Sequence, residues 1–195
     1  NDPLCNTTDT IAITFNEQPI ANAGADIFQC DFDATLNAYP SVGAGTWTTT
    51  STDLNITSAN DPNSNSFTII YNSYSAVWTE NNLGCIQSDT TIITFTEQPT
   101  ANAGLDDIIC DNNYTLNAAI DVGQGTWSSP SPFISFADSS FENTTATLDT
   151  ASAPYGNYNI IWIKDNNFGC TDTDSVNINF IQQPIPFAGN DTSIC

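Results

Sequence analysis

The chain has 195 residues, room for one large domain or two small ones, each with a core of its own. Twenty-two acidic residues face a single base, Lys164, with no arginine and no histidine, and the formal net charge is −21. One cation cannot neutralise a run of phosphates, which excludes nucleic acid and anionic bilayers as partners. Without His or Arg, acid–base, triad and phosphoryl-transfer chemistries lack their main parts, so no catalytic residue and no enzyme is expected.

Only 12% of the residues are charged while 39% are hydrophobic and 11% aromatic, so the chain is expected to fold. No apolar run reaches the roughly 18–20 residues that cross a bilayer, so direct membrane insertion is not expected. Asn1-Asp2-Pro3-Leu4-Cys5 lacks the basic start of a signal peptide, and the chain reads as part of a longer precursor.

In chain order, residues 1–16 read as the last strand of a preceding repeat, because Asp9 to Phe15 parallels Asp89 to Phe95 and Asp174 to Phe180. Residues 17–96 form repeat 1. Glu17-Gln18-Pro19 opens it and returns as Glu97-Gln98-Pro99 and, degraded, as Gln182-Gln183-Pro184. Ala21-Asn22-Ala23-Gly24 returns as Ala101-Asn102-Ala103-Gly104, and Leu36-Asn37-Ala38 as Leu116-Asn117-Ala118. Gly43-Ala44-Gly45-Thr46-Trp47 returns as Gly123-Gln124-Gly125-Thr126-Trp127, Trp78 as Trp162, and Gly84-Cys85 as Gly169-Cys170. Repeat 2 therefore covers 97–181, and 182–195 reads as the first strand of a following repeat.

Period-two alternation marks the strands: Tyr74, Ala76 and Trp78 in one repeat, Tyr158, Ile160 and Trp162 in the other, and Val176, Ile178 and Phe180. Asn81-Asn82-Leu83-Gly84 and Asn166-Asn167-Phe168-Gly169 tolerate positive φ and read as hairpin turns. About seven short strands in roughly 80 residues, with a Trp near the third, predict an all-β chain of tandem immunoglobulin-like sandwiches.

The order Ala-x-Ala-Gly-x-Asp, Cys, Thr-Leu-x-Ala, Gly-x-Gly-Thr-Trp, Trp-x-x-x-Asn-x-Gly-Cys resembles the PKD-like and Ig-like repeats of large Bacteroidetes surface proteins. These include gliding-motility adhesins and other cargo of the type IX secretion system. The resemblance implies extracellular tandem sandwiches at the cell surface, on a long chain. A Cys pair in each repeat departs from ordinary PKD domains.

Six cysteines lie at Cys5, Cys30, Cys85, Cys110, Cys170 and Cys195. No two are spaced as metal or redox motifs require, so disulfides formed in an oxidising compartment are expected. One pairing joins Cys30 to Cys85 and Cys110 to Cys170 within each repeat. Strand directions argue against it, since they put Cys30 and Cys85 at opposite ends of a strand about 25 Å long. The other joins Cys30 to Cys170 across the repeat boundary, leaving Cys5, Cys85, Cys110 and Cys195 to neighbours outside this sequence. Both stay open at this point.

Calcium is the one cofactor the composition raises, with Asp26, Asp106, Asp107 and Asp191 as ligands and Asp61-Pro62-Asn63-Ser64-Asn65 as a second loop, against the plainer reading of solvated carboxylates. The four tryptophans read as core, leaving Tyr39 and Phe133 as better contacts for a sugar. Thr10, Thr90, Thr150 and Ser175 follow Asp as in the Bacteroidetes O-glycosylation motif, against the plainer reading that three of them belong to the strand pattern. The leading expectation is a stiff, secreted adhesin or surface-fibre segment whose partners are neighbouring repeats, with surface polysaccharide as a further partner. An accessory carbohydrate-binding module of a secreted enzyme and a subunit of a strand-exchanged filament are the alternatives.

Overall fold

The structure is a computed structural model that describes residues 8–191, so Cys5 and Cys195 lie outside the described residues. The chain divides into two compact units, one ending at Phe95 and the other beginning at Thr96. Among the described residues there are strands and turns and no helix.

Unit 1 contains β1 (Ile27–Gln29), β2 (Asp33–Thr35), β3 (Ala44–Thr49), β4 (Asn55–Ile56), β5 (Asn65–Phe67), β6 (Ser73–Asn82) and β7 (Cys85–Phe95). Unit 2 repeats the series as β8 (Asp107–Ile109), β9 (Asn113–Thr115), β10 (Gln124–Ser128), β11 (Ile134–Phe136), β12 (Thr145–Leu148), β13 (Gly156–Asp165) and β14 (Thr171–Phe180). One sheet of unit 1 runs β1-β7-β6-β3 and the other β2-β5-β4; unit 2 has the same order in β8-β14-β13-β10 and β9-β12-β11. The first strand of each unit pairs parallel with the last, Gln29 opposite Phe95 and Ile109 opposite Phe180, while every other pairing is antiparallel.

The alternation read from the sequence is the burial pattern. Tyr74, Ala76 and Trp78 on β6 and Ile93 and Phe95 on β7 point into the core of unit 1. Ile160, Trp162, Val176, Ile178 and Phe180 do the same in unit 2. Trp47 and Trp78 face each other across β3 and β6 with ring centroids 5.2 Å apart, and Trp127 and Trp162 across β10 and β13 at 4.7 Å. Each such pair contributes about 0.5–1.5 kcal/mol beyond the burial of its area.

The Gly-x-Gly before each first Trp is a packing requirement. A Cβ on Gly45 would overlap Cζ2 of Trp78, and one on Gly125 would overlap Cζ2 of Trp162, so each indole packs against bare backbone. Residues 9–15 carry the strand alternation but pair with no strand among the described residues. Ile11, Ile13 and Phe15 are exposed where Thr91, Ile93 and Phe95 of β7 are buried.

Candidate functional site

The repeated motifs converge on how the chain enters each unit. The lead-in of unit 1 runs beside β7 before β1 begins, and its backbone amides are met by side chains instead of a ladder. Ala21 N–H donates to Gln87 Oε1 (2.9 Å) and Ala23 N–H to Asp89 Oδ2 (2.8 Å), while Ile92 N–H donates back to Asp26 Oδ1 (2.9 Å). Unit 2 repeats this clamp with Ala101 to Asp172 (2.8 Å), Ala103 to Asp174 (2.8 Å) and Asn177 to Asp106 (2.8 Å). Five of these six bonds end on a carboxylate, the stronger, charge-assisted class, and all occupy a strand edge that would otherwise be open to pairing.

Upstream, the Glu-Gln-Pro motif ties the chain to the β6–β7 or β13–β14 hairpin. Gln18 donates to Ile86 O (3.1 Å) and Asn82 to Glu17 O (2.9 Å); Gln98 donates to Thr171 O (2.9 Å) and Asn166 to Glu97 O (3.0 Å) and Thr96 Oγ1 (3.1 Å). Pro19 and Pro99 are buried. Phe95 is the last residue of β7, and Thr96, the first residue of unit 2, accepts from Asn166 of its own unit.

The cysteines sit at the ends of these units. Cys30 follows Gln29, which is opposite Phe95 at the far end of β7, whereas Cys85 is the first residue of β7. At about 3.4 Å per residue, ten steps of strand put the two roughly 30 Å apart, against the roughly 7 Å a disulfide allows. Cys110 and Cys170 are separated in the same way, after β8 and before β14. The within-repeat bridges Cys30–Cys85 and Cys110–Cys170 are not formed: Cys30 and Cys170 are each disulfide-bonded, whereas Cys85 and Cys110 are free thiols.

Sequence reasoning did not foresee what the lone cation does. Position 80 of unit 1 and position 164 of unit 2 are equivalent, and both side chains are fully buried. The Glu80 carboxylate accepts from Ser41 N–H (2.8 Å), the Ser41 hydroxyl and Trp78 Nε1–H (3.1 Å). Burial opposes its charge, but these donors and the Val42 amide outweigh burial and hold the carboxyl below its ordinary range. In unit 2 the Lys164 ammonium instead donates to the carbonyls of Asp121 (2.9 Å) and Gly123 (3.0 Å). Asp121 occupies the place of Ser41, and Trp162 Nε1, deprived of a carboxylate, has no hydrogen-bond partner.

Two expected outcomes follow from this exchange. Glu80→Gln presents an NH2 group to donors and should cost unit 1 about 1–3 kcal/mol at neutral pH. Because the native carboxyl titrates below its ordinary value of 4.5, Glu80's advantage over Gln should persist above that pH. It should fade as pH falls through the native value, in urea melts at stepped pH. Lys164 is also the sole trypsin site of the chain, and it lies buried in the middle of a sheet. Native protein should stay intact in trypsin and be cut after Lys164 only at denaturant concentrations that unfold unit 2, read by gel.

The remaining sequence candidates are dispersed. Asp26 and Asp106 are engaged by backbone amides, Asp107 accepts from Ile108 N–H, and Asp191 is exposed. Asp61 closes a turn on Asn63 N–H (2.9 Å). Among the described residues no three His, Cys, Asp or Glu side chains gather as a metal site. Trp47, Trp78, Trp127 and Trp162 are all core, and Phe133 packs against the core of unit 2 rather than offering itself to a sugar, which leaves Tyr39 exposed. Thr10, Thr90, Thr150 and Ser175 are all exposed. The preceding Asp89 and Asp174 belong to the clamp, a structural reason for Asp at those two positions.

The chain is similar to extracellular domains 3–5 of Drosophila OTK, with a TM-score of 0.54 at 9% identity, covering 84% of this chain and 61% of that one. Each unit is an immunoglobulin-like sandwich. Fibronectin(III)-like modules of Clostridium thermocellum CbhA are also similar, at a TM-score of 0.41 and 15% identity over 91% of this chain and 99% of that one. At such identities the likeness is one of fold. No protein-family model matches the sequence, and no curated protein does. Among the described residues no helix is long and apolar enough to cross a membrane.

Proposed function

We propose that this chain is a spacer segment of an extracellular adhesin or surface fibre, a run of immunoglobulin-like repeats whose work is to hold distance stiffly. The observation that carries the reading is how early unit 2 holds its own chain: β7 ends at Phe95, and Thr96, Glu97 and Gln98 are fastened to the β13–β14 hairpin. A linker without free residues has little conformational entropy to give to bending. The resemblance of its motifs to Bacteroidetes surface repeats supports a fibre on such a cell, with neighbouring repeats as its partners.

In this reading Cys30 and Cys170 bond to each other and lock the boundary. Support comes from their both being oxidised while Cys85 and Cys110 are not, and from their lying at opposite ends of their own units. Such bonds persist in oxidising compartments, which supports an extracellular location. A net charge of −21 keeps neighbouring fibres apart, and the lone buried lysine denies trypsin-like proteases a site.

The test is 15N relaxation of the oxidised chain. Both units should report one common rotational correlation time, and reduction should loosen them. Independent tumbling of the oxidised units would remove the stiff spacer.

A further inference from the structure

We propose that Cys110 and Cys85 are the open halves of the same joint, each made to receive the opposite end of another repeat of this class; this rests on the Cys30–Cys170 joint described above. Cys110 occupies in unit 2 the place of Cys30, directly after the first strand, and Cys85 occupies in unit 1 the place of Cys170, at the hairpin. In each equivalent pair one member is disulfide-bonded and the other is a free thiol.

The local setting does not account for that difference. Cys85 Sγ lies 3.9 Å from Asn16 O and Cys170 Sγ 3.2 Å from Thr96 Oγ1, so the same lead-in position flanks both sulfurs. The same two ends each carry an exposed apolar side chain. Leu83, two residues before Cys85, is 80% exposed on the hairpin at φ +51°, and Ile108, two residues before Cys110, is 64% exposed. Phe28 and Phe168, two residues before Cys30 and Cys170, are 56% and 51% exposed, so a large apolar side chain stands beside each of the four cysteines, as joints of one kind require.

The partner is therefore an immunoglobulin-like repeat carrying the same two cysteines. Cys110 takes the hairpin cysteine of the repeat that follows, and Cys85 takes the first-strand cysteine of the repeat that precedes. The pairing is head to tail, since the two oxidised cysteines are also one of each kind. For each bond two thiols lose two protons and two electrons, which reduce one molecule of a small disulfide such as oxidised glutathione to two thiols.

The experiment inserts a second copy of residues 17–181 between residues 181 and 182 of the full chain, so that the second block's Cys85 follows the first block's Cys110. The protein is oxidised with glutathione disulfide, alkylated without reduction, and digested with pepsin for mass spectrometry. The expected result is a Cys110–Cys85 linked peptide, with half of the Cys110 and half of the Cys85 alkylated. Full alkylation of both, or Cys110–Cys110 and Cys85–Cys85 links, overturns the proposal. The Cys30–Cys170 peptide in the same digest separates the two claims: its presence beside fully alkylated Cys110 defeats the present inference alone, and its absence defeats the joint on which the inference rests. Cys110→Ser in the duplicated chain should leave all Cys85 alkylated without disturbing the Cys30–Cys170 link.

Discussion

Gly125→Ala should destabilise unit 2 by about 3 kcal/mol or more, the upper end of what overpacking a filled core costs. The added methyl would overlap Cζ2 of Trp162, a fully buried indole held against Trp127 at 4.7 Å, so neither ring has space to yield. Gly45→Ala should do the same to unit 1 through Trp78. Because a misfolded variant would be uninformative alone, Gly125→Ala combined with Trp162→Leu supplies the check. Removing the ring makes room for the methyl, so the double variant should lose less than the sum of its singles in urea melts. Strict additivity would show that the glycine is retained for another reason.

Lys164→Glu should cost unit 2 about 3–5 kcal/mol, the range for leaving a buried charge without its partners. The new carboxylate would face the carbonyls of Asp121 and Gly123 and lie near the Asp121 carboxylate. Adding Asp121→Ser rebuilds the arrangement of unit 1. There the Ser41 amide and hydroxyl donate to Glu80, and Ser41 Oγ still accepts the lead-in amide of Ile20 (2.8 Å), as Asp121 accepts that of Thr100. Trp162 Nε1, unpartnered in the native unit, gains an acceptor. The double variant should recover about 2 kcal/mol over Lys164→Glu, a coupling within the range for residues in contact. Two substitutions that add without coupling would mean that the residue pairs are not exchangeable.

Much of this architecture is written locally. The alternation of Tyr74, Ala76 and Trp78 and of Val176, Ile178 and Phe180 has only one reading, because a strand turns alternate residues to opposite faces. The repeat made that reading twice, and the four tryptophans are core as their recurrence suggests. The roles of the motifs are not local and could not be read this way. Asp89 serves Ala23 across 66 residues and Gln98 reaches Thr171 across 73, so an Asp-Thr or Glu-Gln-Pro motif shows nothing of its partner until strands are aligned. Asp26 and Asp106 look like cation ligands for the same reason: a carboxylate that clamps an amide and one that binds calcium have the same letter. The exchange of Glu80 and Ser41 for Lys164 and Asp121 left a trace, since aligning the repeats sets Glu over the lone Lys. That mismatch was the available signal.

The most direct test of the account is the disulfide map of the unreduced 195-residue chain, digested with pepsin because trypsin has one site. A peptide joining Cys30 to Cys170, with Cys85 and Cys110 recovered as alkylated thiols, is the expected result. Cys30 joined to Cys85, or Cys110 joined to Cys170, would contradict it.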